Sequence, residues 1–138
     1  MVKHLARAEA DVRAPITAVW AALTDTDTLG RLMFGSTVET DWTVGSPIVY
    51  RGEWEGTPFE DHGVILELTE PTVLRVSHDA PGGDATHEVR YDLRELGPDA
   101  THVTLTQDNN ASAEAAEHSA QNWQSMLEAL QRELSSPA

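Results

Sequence analysis

From Gly35 to Gln107 apolar side chains recur at every second position, interrupted at short intervals by turn residues, and from Ser112 to Leu134 the repeat changes to the helical one. Strands place alternate side chains on opposite faces, whereas a helix brings every third or fourth onto one stripe. The chain is therefore constrained to a run of half-buried antiparallel strands closed by one long amphipathic helix. Val38, Thr40 and Trp42 share one phase; Ile48, Tyr50, Gly52 and Trp54 share the next, after the turn Thr43-Val44-Gly45-Ser46. After Glu55-Gly56-Thr57-Pro58, the residues His62, Val64, Leu66 and Leu68 are assigned to the inner face, and Glu70-Pro71-Thr72 ends that strand because proline cannot donate to the ladder. Leu74, Val76 and His78 follow, then the loop Pro81-Gly82-Gly83-Asp84. His87, Val89, Tyr91 and Leu93 form the cleanest alternation, and Thr101, Val103, Leu105 and Gln107 the last.

Ahead of this run, Ala6, Ala8, Ala10 and Val12 alternate with charged residues, which predicts a strand over 4–13. Pro15 suits a first helical residue, and Ile16, Val19, Trp20 and Leu23 recur at helical spacing, predicting a helix over 15–24. Thr24 and Asp27 have capping-box spacing for a second short helix over 25–33. The closing stripe, Ala116, Ser119, Trp123, Met126, Leu127, Leu130 and Leu134, predicts a helix over 112–134 that Ser135-Ser136-Pro137 stops. This order is α+β: one curved antiparallel sheet of about seven strands, two short helices after the first strand, and a long C-terminal helix packed across the apolar face. A sheet curled around a helix leaves space between them, and concave apolar space is where small ligands bind.

With 138 residues the chain fits one domain over 1–138. Nine basic and 23 acidic side chains give a net charge of −14, which repels phosphate backbones and anionic headgroups, so nucleic acid is not an expected partner. The sequence has no cysteine, which excludes disulfides, thiolate metal sites and a cysteine nucleophile. No apolar stretch is long enough for membrane insertion and no signal-peptide core follows Met1, so a cytoplasmic location is the expectation.

Four segments resemble the helix-grip domains of the START-like (SRPBCC, Bet v 1-like) superfamily, and within it the activator of heat-shock-protein-ninety ATPase homologues. Residues 14–25, Ala-Pro-Ile-Thr-Ala-Val-Trp-Ala-Ala-Leu-Thr-Asp, match that family's opening. Residues 63–71 with Leu74, Arg75, Val76, Ser77 and His78 resemble its Gly-x-Val-x-Glu segment. Residues 101–106 resemble its Thr-x-Leu-Thr-Leu strand, and residues 122–130 its Gly-Trp-x-x-x-Leu-x-x-Leu helix. His78 stands where the family often has Trp, Asn122 where it often has Gly, and Leu32-Met33 where it often carries tryptophans. The resemblance implies the helix-grip fold. Its relatives include lipid carriers, hormone receptors, polyketide cyclases and co-chaperones, so fold does not fix activity.

Candidate ligand contacts come from the inner phase. Trp42, Trp54, Tyr91, Trp123 and Met126, with Phe34 and Phe59 near the mouth, supply aromatic walls or simply fill the core. Val64, Leu66 and Val76 supply aliphatic lining. His62, His78 and His87 share that phase; such imidazoles bind a ligand carbonyl, exchange protons near neutral pH, or sit solvated at strand ends. Gln107 offers an amide to a ligand or to the Asn109-Asn110 turn. The acidic run Glu53, Glu55, Glu60 and Asp61 reads as solvated surface. No phosphate loop, nucleophile elbow or His-Glu-x-x-His pattern is present, so no catalytic residue, metal or cofactor is assigned. The expected function is non-catalytic binding of an apolar or amphipathic small molecule between the C-terminal helix and the sheet, by a monomer or homodimer. The alternatives are a cyclase- or aromatase-like enzyme using His78, Tyr91 and Gln107, and a co-chaperone or stress-response module with a chaperone partner.

Overall fold

The computed structural model describes residues 4–33, 35–54, 56–79, 86–110 and 112–134. The chain runs β1 (His4–Val12), α1 (Ile16–Leu23), α2 (Thr26–Leu32), β2 (Thr37–Glu39), β3 (Pro47–Trp54), β4 (Thr57–Thr69), β5 (Val73–Asp79), β6 (Thr86–Gly97), β7 (Ala100–Asn110) and α3 (Ala113–Leu134). All strands join one seven-stranded sheet in the order β1-β7-β6-β5-β4-β3-β2, and every pairing is antiparallel. The predicted α+β architecture is what forms.

β1 turns Ala6, Ala8, Ala10 and Val12 inward, all buried, while Arg7, Glu9 and Asp11 face solvent. Three alanines in a row on one face let a helix approach closely, and α3 packs chiefly on β1 and β7. From α3 the side chains of Met126, Leu127 and Leu130 are completely buried against that face. Val19 and Leu23 of α1 and Leu29 and Leu32 of α2 close the core where β1 ends. The Thr101 hydroxyl, itself buried, donates to the Ala14 carbonyl at 2.9 Å and ties that corner to β7.

β1 is an edge strand, and its free edge is not left open. The Gln124 side chain accepts from the Glu9 N–H at 3.3 Å and donates to the Glu9 carbonyl at 3.0 Å, and Gln131 donates to the Asp11 carbonyl at 2.8 Å. Two amides seven positions apart on one helix thus imitate a neighbouring strand.

Four local expectations are corrected. Pro15 is the residue before α1, with extended ψ of 151°, and Asp25 caps α2 by accepting from the Thr28 N–H at 3.0 Å, in place of the Thr24–Asp27 box. β2 stops at Glu39, so Thr40 and Trp42 leave the strand, and Trp42 takes a left-handed φ of 53°. Most consequential, His62, Val64 and Leu66 lie on the outer face: Gly63 and Ile65 are buried while Val64 and Leu66 are exposed. Pairing with β5 slips between Ile65 and Glu67, so Leu66 is an extra residue and Leu68, opposite Leu74, returns to the inside. The alternation of β4 therefore has opposite phases on the two sides of the bulge.

Candidate functional site

The reversed phase of β4 brings Asp61, absent from the sequence-based candidates, onto the concave face. Its cross-strand partner on β3 is Tyr50. On the other side, His78 of β5 extends its ring across β4 and stacks on Tyr50, with centroids 5.2 Å apart and planes at 18°. His78 Nε2 lies 3.3 Å from Asp61 Oδ2. Gly63 is what lets β4 and β5 sit this close, since a Cβ there would overlap the Ser77 carbonyl oxygen. Ser77 adds a hydroxyl that accepts from the Val64 N–H at 2.9 Å.

These polar groups are poorly satisfied by the protein. Asp61 Oδ1 is buried and, among the described residues, the sole buried side-chain oxygen or nitrogen without a hydrogen-bond partner. Tyr50 and Tyr91 are about 95% buried, at 5% and 4% exposure, and neither hydroxyl makes a hydrogen bond among the described residues. Burial above all, and then the nearby Asp61 carboxylate, pushes the Tyr50 phenol far above its ordinary pKa; burial, and then Tyr50, does the same to Tyr91. Both phenols are thus neutral donors at any physiological pH. Buried polar groups are normally paired, so the unpaired Asp61 Oδ1 marks a place built for something other than core packing.

The remaining candidates separate into three groups. Val76 is buried on the concave face beside this cluster, and Met126 is buried beneath α3. Gln107 and Trp123 meet, but they satisfy each other: the Trp123 indole donates to Gln107 Oε1 at 2.5 Å, Gln107 Nε2 donates to Asn110 Oδ1 at 3.3 Å, and Ser119 donates to the same oxygen at 2.9 Å. His87, Cα partner of His78, donates from Nδ1 to the Asp108 carbonyl at 2.7 Å. Outside the concave face, His62 is exposed and 2.6 Å from Glu60, which also pairs with Arg51. Trp42 lines a separate half-open cleft of about 170 Å³ with Trp20, Thr24, Leu68 and Glu70. That cleft adjoins the far end of β4, roughly 23 Å along the strand from Asp61. Phe34 and the side chain of Trp54 lie outside the described residues, as do Glu55, the 81–84 loop and the stop at 135–137.

No three metal-ligating side chains come together among the described residues, and none of their helices is long and apolar enough to cross a membrane. Asp61, read from the sequence as part of a solvated acidic run, lies inward instead because the bulge at Leu66 hides the phase of β4. The one local signal was Gly63, a glycine in a strand interior, which marks a close backbone approach.

A single antiparallel sheet gripping one long terminal helix, with polar side chains on its concave face, defines a helix-grip protein. The chain belongs to the family described as "Activator of Hsp90 ATPase homolog 1-like protein", whose model matches residues 13–135. No curated protein matches the sequence. Among solved structures, the protein ChR145 from Cytophaga hutchinsonii is 38% identical, with a TM-score of 0.81, over 97% of this chain and 95% of that one. PFC0360w, an HSP90 activator from Plasmodium falciparum, is 21% identical with a TM-score of 0.77, over 97% and 98% of the two chains. The Aha1 dimer from Colwellia psychrerythraea is 20% identical with a TM-score of 0.77, over 99% and 98%. At those last identities the likeness is one of fold.

Proposed function

We propose that the protein binds a small amphipathic molecule on the concave face of the sheet, with the polar end of the ligand at Asp61, His78, Tyr50 and Tyr91. The observation that carries this reading is the buried Asp61 Oδ1, left without a hydrogen-bond partner beside His78 and Tyr50. A buried acceptor without a partner costs about 1–3 kcal/mol, so Asp61 Oδ1 offsets folding stability unless a ligand or water completes it. α3 packs chiefly on β1 and β7. Asp61 and Tyr50 stand on β4 and β3, away from that contact, which supports access from the side that the helix covers least. Val76, Leu74 and Val89 supply the apolar floor.

The reading is non-catalytic. His78 is held by one carboxylate and one aromatic face, an arrangement that positions a ring for hydrogen bonding without supplying a nucleophile. The test is retention and stabilisation. Native mass spectrometry of the purified protein, followed by a melting survey against amphipathic alcohols, amines, acids and sterols, is expected to find one class that raises Tm with concentration. A protein that retains nothing and responds to no class overturns the proposal.

The family and the printed description of the Plasmodium relative favour a second reading, action on a chaperone ATPase. Stimulation of that ATPase by this chain at micromolar concentration would support it, and absence of both binding and stimulation would remove it.

A further inference from the structure

We infer that the polar end of the ligand is a hydrogen-bond donor, an amine above all, and that Asp61 selects it. This inference rests on the binding reading above and adds the chemistry of the ligand. The unpaired groups are unequal in what they ask for. Asp61 Oδ1 accepts and cannot donate when ionised, and its other oxygen is already engaged by His78 Nε2 at 3.3 Å. The two phenols both donate and accept. A ligand carboxylate would set a second negative charge against Asp61, in a protein already at −14. An ether or ester oxygen would suit the phenols and leave Asp61 Oδ1 buried and unpaired. An ammonium group meets Asp61 Oδ1 with both an N–H donor and the opposite charge. A hydroxyl supplies the donor without the charge.

The charged environment agrees with that order. Among the described residues the arginines nearest in the chain to this cluster are engaged elsewhere. Arg51 pairs with Glu39 and Glu60, and Arg75 with Glu67 and Glu88, all of them on the outer face of the sheet. His78 is the cation-forming side chain that touches Asp61. A ligand cation therefore meets an acidic partner with no guanidinium competing for it.

Four matched probes test this: octylamine, 1-octanol, octyl methyl ether and octanoate, each titrated into wild-type protein by calorimetry. Octylamine is expected to bind tightest, 1-octanol next, and the ether and octanoate at least roughly tenfold more weakly than the amine. Asp61→Asn is expected to weaken the amine by roughly tenfold while leaving the ether within about twofold. Ether or octanoate binding as tightly as the amine overturns the inference while the binding reading stands. So does an unchanged order in Asp61→Asn. If none of the four binds and the wider survey is also negative, both fall together. Should Asp61→Asn fail to fold, Asp61→Ser, which also removes the carboxylate, is expected to narrow the gap between amine and ether; no narrowing counts against the inference.

Discussion

Asp61 Oδ2 lies 3.3 Å from Nε2 of His78, whose ring is stacked on Tyr50, and the other carboxylate oxygen is buried without a partner. Two side chains 17 positions apart are thus joined by the fold, and each holds the other in place. Replacing His78 by Phe keeps the stack and deletes the hydrogen bond, leaving the whole carboxylate unpaired. Unfolding in urea is expected to show a loss of about 1–3 kcal/mol. In a double-mutant cycle with Asp61→Leu the coupling should reach about 0.5–3 kcal/mol, and strict additivity would show that the pair does not interact in solution.

Tyr91→Phe removes, from a buried residue, a hydroxyl that has no hydrogen-bond partner among the described residues. A paired buried tyrosine would lose about 1 kcal/mol. Here stability is expected to hold or rise, while affinity for the amphipathic ligand falls. A loss of stability comparable to that of a paired tyrosine would mean that the hydroxyl is satisfied within the protein.

Gly63→Ala should be among the most damaging single-methyl additions in the chain. The added Cβ would overlap the Ser77 carbonyl, and backbone cannot swing aside as a flexible side chain can. Overpacking of this kind costs about 1–3 kcal/mol, and more where backbone must shift. The same urea curves measure it, and a neutral result would contradict the close β4–β5 approach.

His102 bridges two carboxylates on the outer face, with Nδ1 2.6 Å from Asp11 and Nε2 2.9 Å from Glu9. Its hydrogen bonds to Asp11 and then Glu9 raise its pKa above the ordinary histidine value of 6.5. The folded state therefore holds the proton more tightly than the unfolded chain. The stabilisation is complete below pH 6.5 and disappears as pH rises through the higher folded pKa. Melting temperature followed from slightly acidic to alkaline pH should fall across that window in the wild type. His102→Gln should flatten the profile; an equal fall in both proteins would assign it to other groups.

Gln124→Ala combined with Gln131→Ala exposes the outer edge of β1, where these amides bond to Glu9 and Asp11. Unpaired strand edges recruit other strands. Analytical ultracentrifugation should show more self-association in the double variant than in the wild type at equal concentration. Identical sedimentation would mean that the acidic side chains along β1 suffice to protect the edge.

Much of this architecture follows from periodicity alone. β5 keeps one phase throughout and β1, β6 and β7 keep one over their central residues, so Ala8, Val76, Tyr91 and Leu105 face inward as their spacing requires. The α3 stripe is equally direct, because Met126, Leu127 and Leu130 recur on one side of a helix too long to do anything but cover a sheet. Local chemistry was less decisive where neighbours competed: Asp25, Thr24 and Asp27 all suit a cap, and only the backbone path selected Asp25.

The site was decided by tertiary structure. An extra residue at Leu66 inverts half of β4, and a bulge leaves no mark on a strand whose two faces both carry Val, Ile or Leu. His62, Val64 and Leu66 go outside for that reason, and Asp61 comes in beside His78 and Tyr50. Sequence therefore determined the elements, their order and which helix meets the sheet, since these depend on repeats within each segment. Which polar groups share the concave face depends on the register between strands, and register is set by pairing partners far apart in the chain.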